Sequence, residues 1–150
     1  MRITTQGDYA LRCLIAIARL GMEGPVSIRR IVEEEGLPQD YIEQLLLKLR
    51  RGRLIVSLRG VNGGYRLGRA AGDISAREVL EAVEGQAFEL ICSRNRKARE
   101  RACCDSECVL RDVWEGLKDR IERYLQDVSL QDLVEKERGE AKHETRRRAR

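Results

Sequence analysis

PQDYIEQLLLKLRRGRLIVSLRGVNGGYRLGR, residues 38–69, reads as a helix, a turn and a hairpin in that order. Pro38 suits the first turn of a helix. Ile42, Leu45, Leu46 and Leu49 recur at the spacing of a buried helical stripe, which ends by Gly52. Leu54 to Leu58 is a short β-prone run, residues 59–64 (RGVNGG) are turn chemistry, and Tyr65-Arg66-Leu67 is a second short strand. Glycine reaches positive φ at no steric cost, so Asn62-Gly63-Gly64 suits the reversal. A β-hairpin directly behind a helix is a wing.

Upstream lie two more helices. Tyr9, Ala10, Cys13, Leu14, Ile17 and Ala18 recur at helical spacing, with Thr4 or Thr5 as cap and Gly21, Gly24 and Pro25 as closure. Ser27 is a good N-cap for a helix through Glu35, with Ile28, Ile31 and Val32 inward. Gly36 ends it in the left-handed conformation. Two helices joined by a short glycine-containing turn are either a helix-turn-helix or an ordinary helical hairpin. The wing that follows favours the former.

Charge sharpens this reading. Residues 1–72 hold 12 Lys/Arg against 7 Asp/Glu, residues 73–134 hold 10 against 14, and residues 135–150 hold 7 against 4. From Lys48 to Arg69 there are seven basic residues and no acidic one. Such a run is commonly only a solvated face. On a helix–wing frame it is what a phosphate backbone attracts. With small residues at the wing tip, the backbone can approach phosphates and Arg59 can reach into a minor groove.

Downstream, Asp73-Ile74-Ser75 opens a helix running through Ala87, with Val79, Leu80 and Val83 inward. Residues 92–108 then hold four cysteines among many charges and almost no large apolar side chains, so burial alone cannot fold them. From Val109 to Val128 the helical pattern returns. Leu110, Trp114, Leu117, Ile121, Tyr124 and Val128 alternate spacings of four and three, widened by Val113 and Leu125. That is a coiled-coil seam, expected to pair with a second subunit rather than with its own domain. Ser129 caps a short helix through Val134, and the charged residues 135–150 are expected to be disordered. The expected class is mainly α. It comprises a winged helix-turn-helix with a two-stranded wing (1–72), a connecting helix (73–91), a cysteine-rich loop (92–108), a dimerisation segment (109–134) and a tail (135–150).

The N-terminal apolar run is broken by Arg12 and Arg19, no stretch is long enough to span a membrane, and a cytoplasmic chain with reduced thiols is expected. No Ser/His/Asp set, phosphate loop or pair of carboxylates in an apolar pocket can be assembled, so neither an enzyme nor a small-molecule substrate is expected. Cys13 lies on the apolar face of the first helix as a structural thiol. Cys92, Cys103, Cys104 and Cys108 differ: soft thiolates in a polar loop suggest an iron–sulfur cluster, zinc or redox-active thiols. Arg94, Arg96, Lys97, Arg99 and Arg101 favour thiolate in each case. Spacing does not choose among them. The single histidine, His143, lies in the tail.

Five segments carry a resemblance to a known family: MRITTQGDYAL at the start, YIEQLL in the third helix, RGVNGGYRL in the wing, DISAREVLEAVEG after it and CVLRDVW leading into the long helix. Over roughly residues 1–135 the chain resembles the Rrf2 (Rrf-two) family of bacterial transcription regulators, typified by IscR-like and NsrR-like proteins. The resemblance implies a winged-helix homodimer on a double-stranded DNA operator. It also implies an iron–sulfur cluster, 2Fe-2S or 4Fe-4S, held by three loop cysteines. Cys92 and Cys108 match the outer ligands. The middle one is Cys103 or Cys104, because this chain spaces its cysteines differently from the family. The IscR-like histidine ligand is replaced by Arg111, whereas Asp8 matches the position from which NsrR-like regulators supply a carboxylate from the partner subunit. Tyr41, Glu43 and Gln44 match the base- and backbone-contacting positions of the third helix, and Arg59 matches the minor-groove arginine. Arg2, Ser27, Gln39, Lys48, Arg50, Arg51, Gly60 and Asn62 complete the expected DNA-contacting set. The function expected is a repressor sensing redox state, nitric oxide or iron–sulfur status. The alternatives are a cluster-free or zinc-stabilised DNA-binding regulator, a thiol-based sensor, and a protein–protein module whose basic face is merely solvated.

Overall fold

The computed structural model describes residues 4–85 and 109–148, with side chains as far as residue 139. Helix α1 (Thr5–Leu20) starts where the Thr4 side chain accepts from the Gln6 N–H, and it buries Ala10, Cys13, Leu14 and Ile17 along one stripe. Helix α2 (Ile28–Glu35) is capped by Ser27, whose Oγ accepts from the Arg30 N–H at 3.3 Å. It ends at Gly36, whose φ of 63° is the expected left-handed cap. Helix α3 (Gln39–Arg51) follows Pro38 and buries Ile42, Leu45, Leu46 and Leu49 completely.

Strands β1 (Ile55–Leu58) and β2 (Gly64–Leu67) pair antiparallel, with Ile55 opposite Leu67 and Leu58 opposite Gly64. The wing has an anchor that local patterning does not reveal. Val26, just before α2, forms an isolated bridge with Tyr65 through two reciprocal 2.8 Å hydrogen bonds. This pairing requires a glycine next door: a Cβ on Gly64 would lie 2.5 Å from the Val26 carbonyl oxygen. The wing is thereby fixed to the start of α2 as well as to the end of α3.

Helix α4 (Ala76–Glu84) opens on a reciprocal capping box between Ser75 and Glu78. It stops at Gly85, whose φ of 79° closes it short of the expected Ala87. Arg69 also pairs with Glu78. Burial pushes the Glu78 carboxyl up, but the Ser75 N–H, the Arg69 guanidinium and the Ser75 hydroxyl outweigh it, and the group sits below its ordinary value. Its contribution to stability is therefore complete above the ordinary glutamate range and is lost as pH falls through the depressed value. Thermal midpoints followed from neutral pH to about pH 3 should fall less steeply for Glu78→Gln than for wild type.

Helix α5 (Val109–Asp127) buries none of its side chains within the described chain. Val109, Leu110, Val113, Trp114, Leu117 and Tyr124 are all exposed. Helix α6 (Leu130–Arg148) begins beside α4, where the Ala76 N–H donates to the Val128 carbonyl and the Leu130 N–H to that of Ile74, both at 2.8 Å. It then packs back on α1. The core therefore does not stop at residue 72, for Ile74, Val79, Val83 and Leu130 join Leu14, Ile17, Leu45 and Leu49 in it.

Where a short helix through Val134 and a charged tail without structure are expected, α6 runs on to Arg148. Residues 135–148 contain no proline, one glycine and many Glu, Lys, Arg and Ala, whose helix propensity is high. Gln131 bonds Glu135 one turn on, Glu137 lies 3.9 Å from Arg19, and Arg138 donates to the Met22 sulfur.

Candidate nucleic-acid interface

A groove of about 850 Å³ runs between the start of α2, the outer face of α3 and the wing. Ser27 and Ile28 line one end, Asp40, Glu43, Gln44, Leu47 and Arg50 the α3 side, and Ser57, Leu58 and Tyr65 the wing side. Glu43 accepts from the Gln39 amide at 2.8 Å, leaving an exposed carboxylate in a defined place. Arg50 reaches across to the Ser57 hydroxyl at 3.4 Å, so helix and wing share a polar contact at the groove edge.

The turn between the strands projects outward. Arg59, Gly60 and Asn62 are exposed there, and so is Val61, fully. Gly60 has a φ of 119°, and a Cβ on Gly63 would lie 2.5 Å from the Leu58 carbonyl oxygen, so this tip needs its glycines. Among the described residues, Arg50, Arg51, Arg53, Arg59 and Arg66 make no ion pair with an acidic side chain.

Two of the expected contact residues point elsewhere. Lys48 donates to the Val83 carbonyl at 2.9 Å, capping the last turn of α4. Tyr41 is partly buried and meets Tyr9 edge-to-face, with ring centroids 5.9 Å apart. Both lie on the flank of α3 that faces α1 and α4, away from the groove. Arg69, counted in the basic run, is occupied by Glu78 and the Asp73 carbonyl. Conversely, Asp40, Leu47, Ser57 and Val61 line or crown the interface and were not expected there. Leu47 was legible in principle, because it falls off the buried stripe of α3.

Arg2 and the cysteines Cys92, Cys103, Cys104 and Cys108 lie outside the described residues. Asp8 is exposed on the first turn of α1 and pairs with Arg12 at 2.9 Å. Glu84, the last residue of α4, accepts from the Thr4 backbone N–H at 3.2 Å and from its hydroxyl at 2.7 Å. The first turn of α1 is thus tied to the point where the chain leaves for the cysteine segment. Cys13 is wholly buried, and burial, then the charge of Glu35, push its thiol up to about 12. Such a thiol packs as a small apolar group rather than acting as a ligand.

Residues 3–136 match the family model described as Rrf2, iron-dependent transcriptional regulator. The HTH-type transcriptional regulator IscR of Photorhabdus laumondii is 37% identical over 134 residues, which cover 89% of this chain and 79% of that protein. Among solved structures, CymR (YrzC), the global cysteine regulator of B. subtilis, superposes with a TM-score of 0.76 at 30% identity, covering 90% of this chain and 97% of that one. The IscR of T. potens gives 0.70 at 31% identity, covering 91% and 88%. These relatives are regulators of transcription and not enzymes, and no helix among the described residues is long and apolar enough to cross a membrane. The groove, the wing and these likenesses agree: the chain belongs to the Rrf2 family of winged-helix, DNA-binding transcription regulators.

Proposed function

We propose that the chain acts in the cytoplasm as a homodimeric, sequence-specific repressor whose grip on its operator responds to an iron–sulfur cluster. The observation that carries this reading is the groove between α3 and the wing, flanked by arginines that no acidic side chain among the described residues neutralises. In this reading α3 enters a major groove, where the Glu43 carboxylate accepts from a cytosine amine and disfavours bases without a donor. Arg59 enters the flanking minor groove, and Arg50 and Arg51 face phosphates. The exposed apolar stripe of α5 supports self-association, since burying it takes a second apolar surface.

The donor chemistry fits a cluster. Cys92, Cys108 and either Cys103 or Cys104 would supply soft thiolates, and Asp8 of the partner subunit a carboxylate. The exposure of the Asp8 carboxylate is compatible with that role. When bound, the cluster would supply a centre that oxygen, nitric oxide or scarcity of iron and sulfur can alter. The residues of the chain transmit the change: Thr4 joins α1 to Glu84, and Lys48 joins α3 to Val83. A coupling of about 1–3 kcal/mol is enough to change operator occupancy severalfold or more.

Protein purified without oxygen should contain both iron and sulfide, run as a dimer in light scattering, and change its retention of a selected DNA duplex after exposure to nitric oxide or air. In a second reading the thiols themselves sense, or zinc merely stabilises the fold. Zinc alone, or no metal at all, together with intact DNA retention would decide for that second reading.

A further inference from the structure

We propose that Leu47 reads a thymine 5-methyl group in each half-site; the inference rests on α3 lying in the major groove. Helix α3 carries five large aliphatic side chains. Ile42, Leu45, Leu46 and Leu49 are wholly buried, whereas Leu47 is 40% exposed. Glu43 lies one turn before it and Arg51 one turn after it on the same face. Gln44 and Arg50 stand three residues to either side. Leu47 is therefore the apolar centre of an otherwise hydrogen-bonding surface, and it lines the groove with Leu58 of β1, itself 38% exposed.

A single exposed leucine is ordinary on a protein surface. Its position is what gives this one a role. A side chain at the middle of a groove-entering helix meets base edges, and the thymine 5-methyl is the apolar group those edges offer in the major groove. A polar neighbour such as Glu43 selects a donor, while Leu47 can gain only by covering carbon. The two together specify a cytosine amine and a thymine methyl within reach of one helical turn. If Leu47 instead serves only to fill space between α3 and β1, its removal weakens every sequence alike.

The test uses the full chain. Wild-type protein first selects duplexes from a randomised pool, and each thymine of the selected site is then replaced by deoxyuridine, symmetrically in both half-sites, at fixed salt. Uracil removes the methyl and leaves every hydrogen-bonding atom in place. At one position per half-site, uracil should weaken wild-type binding about fourfold per half-site, the worth of one buried carbon. The same replacement should cost Leu47→Ala nothing. A wild-type scan with no methyl-dependent position overturns the proposal, and so does an equal loss in both proteins at each position. A wild-type scan without such a position is decisive by itself, whatever the variant's fold; a position that appears is assigned to Leu47 by its absence in the variant, whose fold a thermal midpoint checks. A selection that returns no retained duplex overturns the DNA-binding reading, a failure distinct from either of these.

Discussion

Leu130→Ala should lower the free energy of unfolding by about 2–5 kcal/mol, the range for truncating a buried leucine in a core that relaxes only partly. Leu130 is 1% exposed and touches the cluster built from α1, α3 and α4. It is the first residue of α6, held in place by the backbone pairing of residues 128–130 with residues 74–76. Such pairing limits collapse around the missing methyl groups, which argues for the upper part of the range. Urea unfolding at one protein concentration measures the effect, since self-association would otherwise shift the midpoint. The midpoint should fall with the slope unchanged. Gln131→Ala, next to it but exposed, should stay within about 0.5 kcal/mol of wild type. A Leu130→Ala loss as small as that of Gln131→Ala would mean that α6 does not close the core.

Arg59→Ala should leave the unfolding midpoint unchanged and weaken binding to a selected duplex by about 1–3 kcal/mol, roughly fivefold to more than a hundredfold. Arg59 directly follows β1, stands exposed at the turn and makes no ion pair among the described residues, so no folded contact is lost with it. Its expected place is a minor groove whose negative potential deepens as it narrows. The loss should therefore be largest on the selected sequence and smaller on random duplex. Arg69→Ala makes the contrast. Its guanidinium is engaged by Glu78, so its removal should reduce stability and leave DNA affinity at fixed salt nearly unchanged. Gel shifts on both duplexes, with thermal midpoints of the same samples, separate the two cases. Equal operator affinity for Arg59→Ala and wild type would remove Arg59 from the interface.

Much of this architecture was legible in the sequence because its signals are local. The Ser27 cap, the Gly36 stop, the stripe of α3 and the Asn-Gly-Gly reversal each act within a few residues, and each lies where its chemistry predicts. The pairing of Val26 with Tyr65 joins residues far apart in the chain, and no periodicity announces it. The return of α6 onto α1 is of the same kind. Charge was the weakest guide to the interface. A run of basic residues looks uniform in one dimension, but the helix turns it through different directions. Arg50 lines the groove, Lys48 caps a neighbouring helix and Arg69 closes an ion pair. Tyr41 illustrates the same limit: matching a family position identified the helix correctly, while the partner of its ring is Tyr9. The cysteines were read as ligands from composition and resemblance, and that reading remains a proposal for chemical analysis to test.

The way α6 completes the core also sets an order of events during synthesis. A nascent chain emerges N-terminus first, and domains fold as units once their contacts are available. Here the helices and wing of the DNA-binding head leave the ribosome early, yet Leu130 and Val134 are among the last core residues to appear. The head stays unsealed until then, and the four cysteines of residues 92–108 emerge before it closes. Any reagent that reaches those thiols during synthesis would meet them on a chain whose final helix has not yet docked.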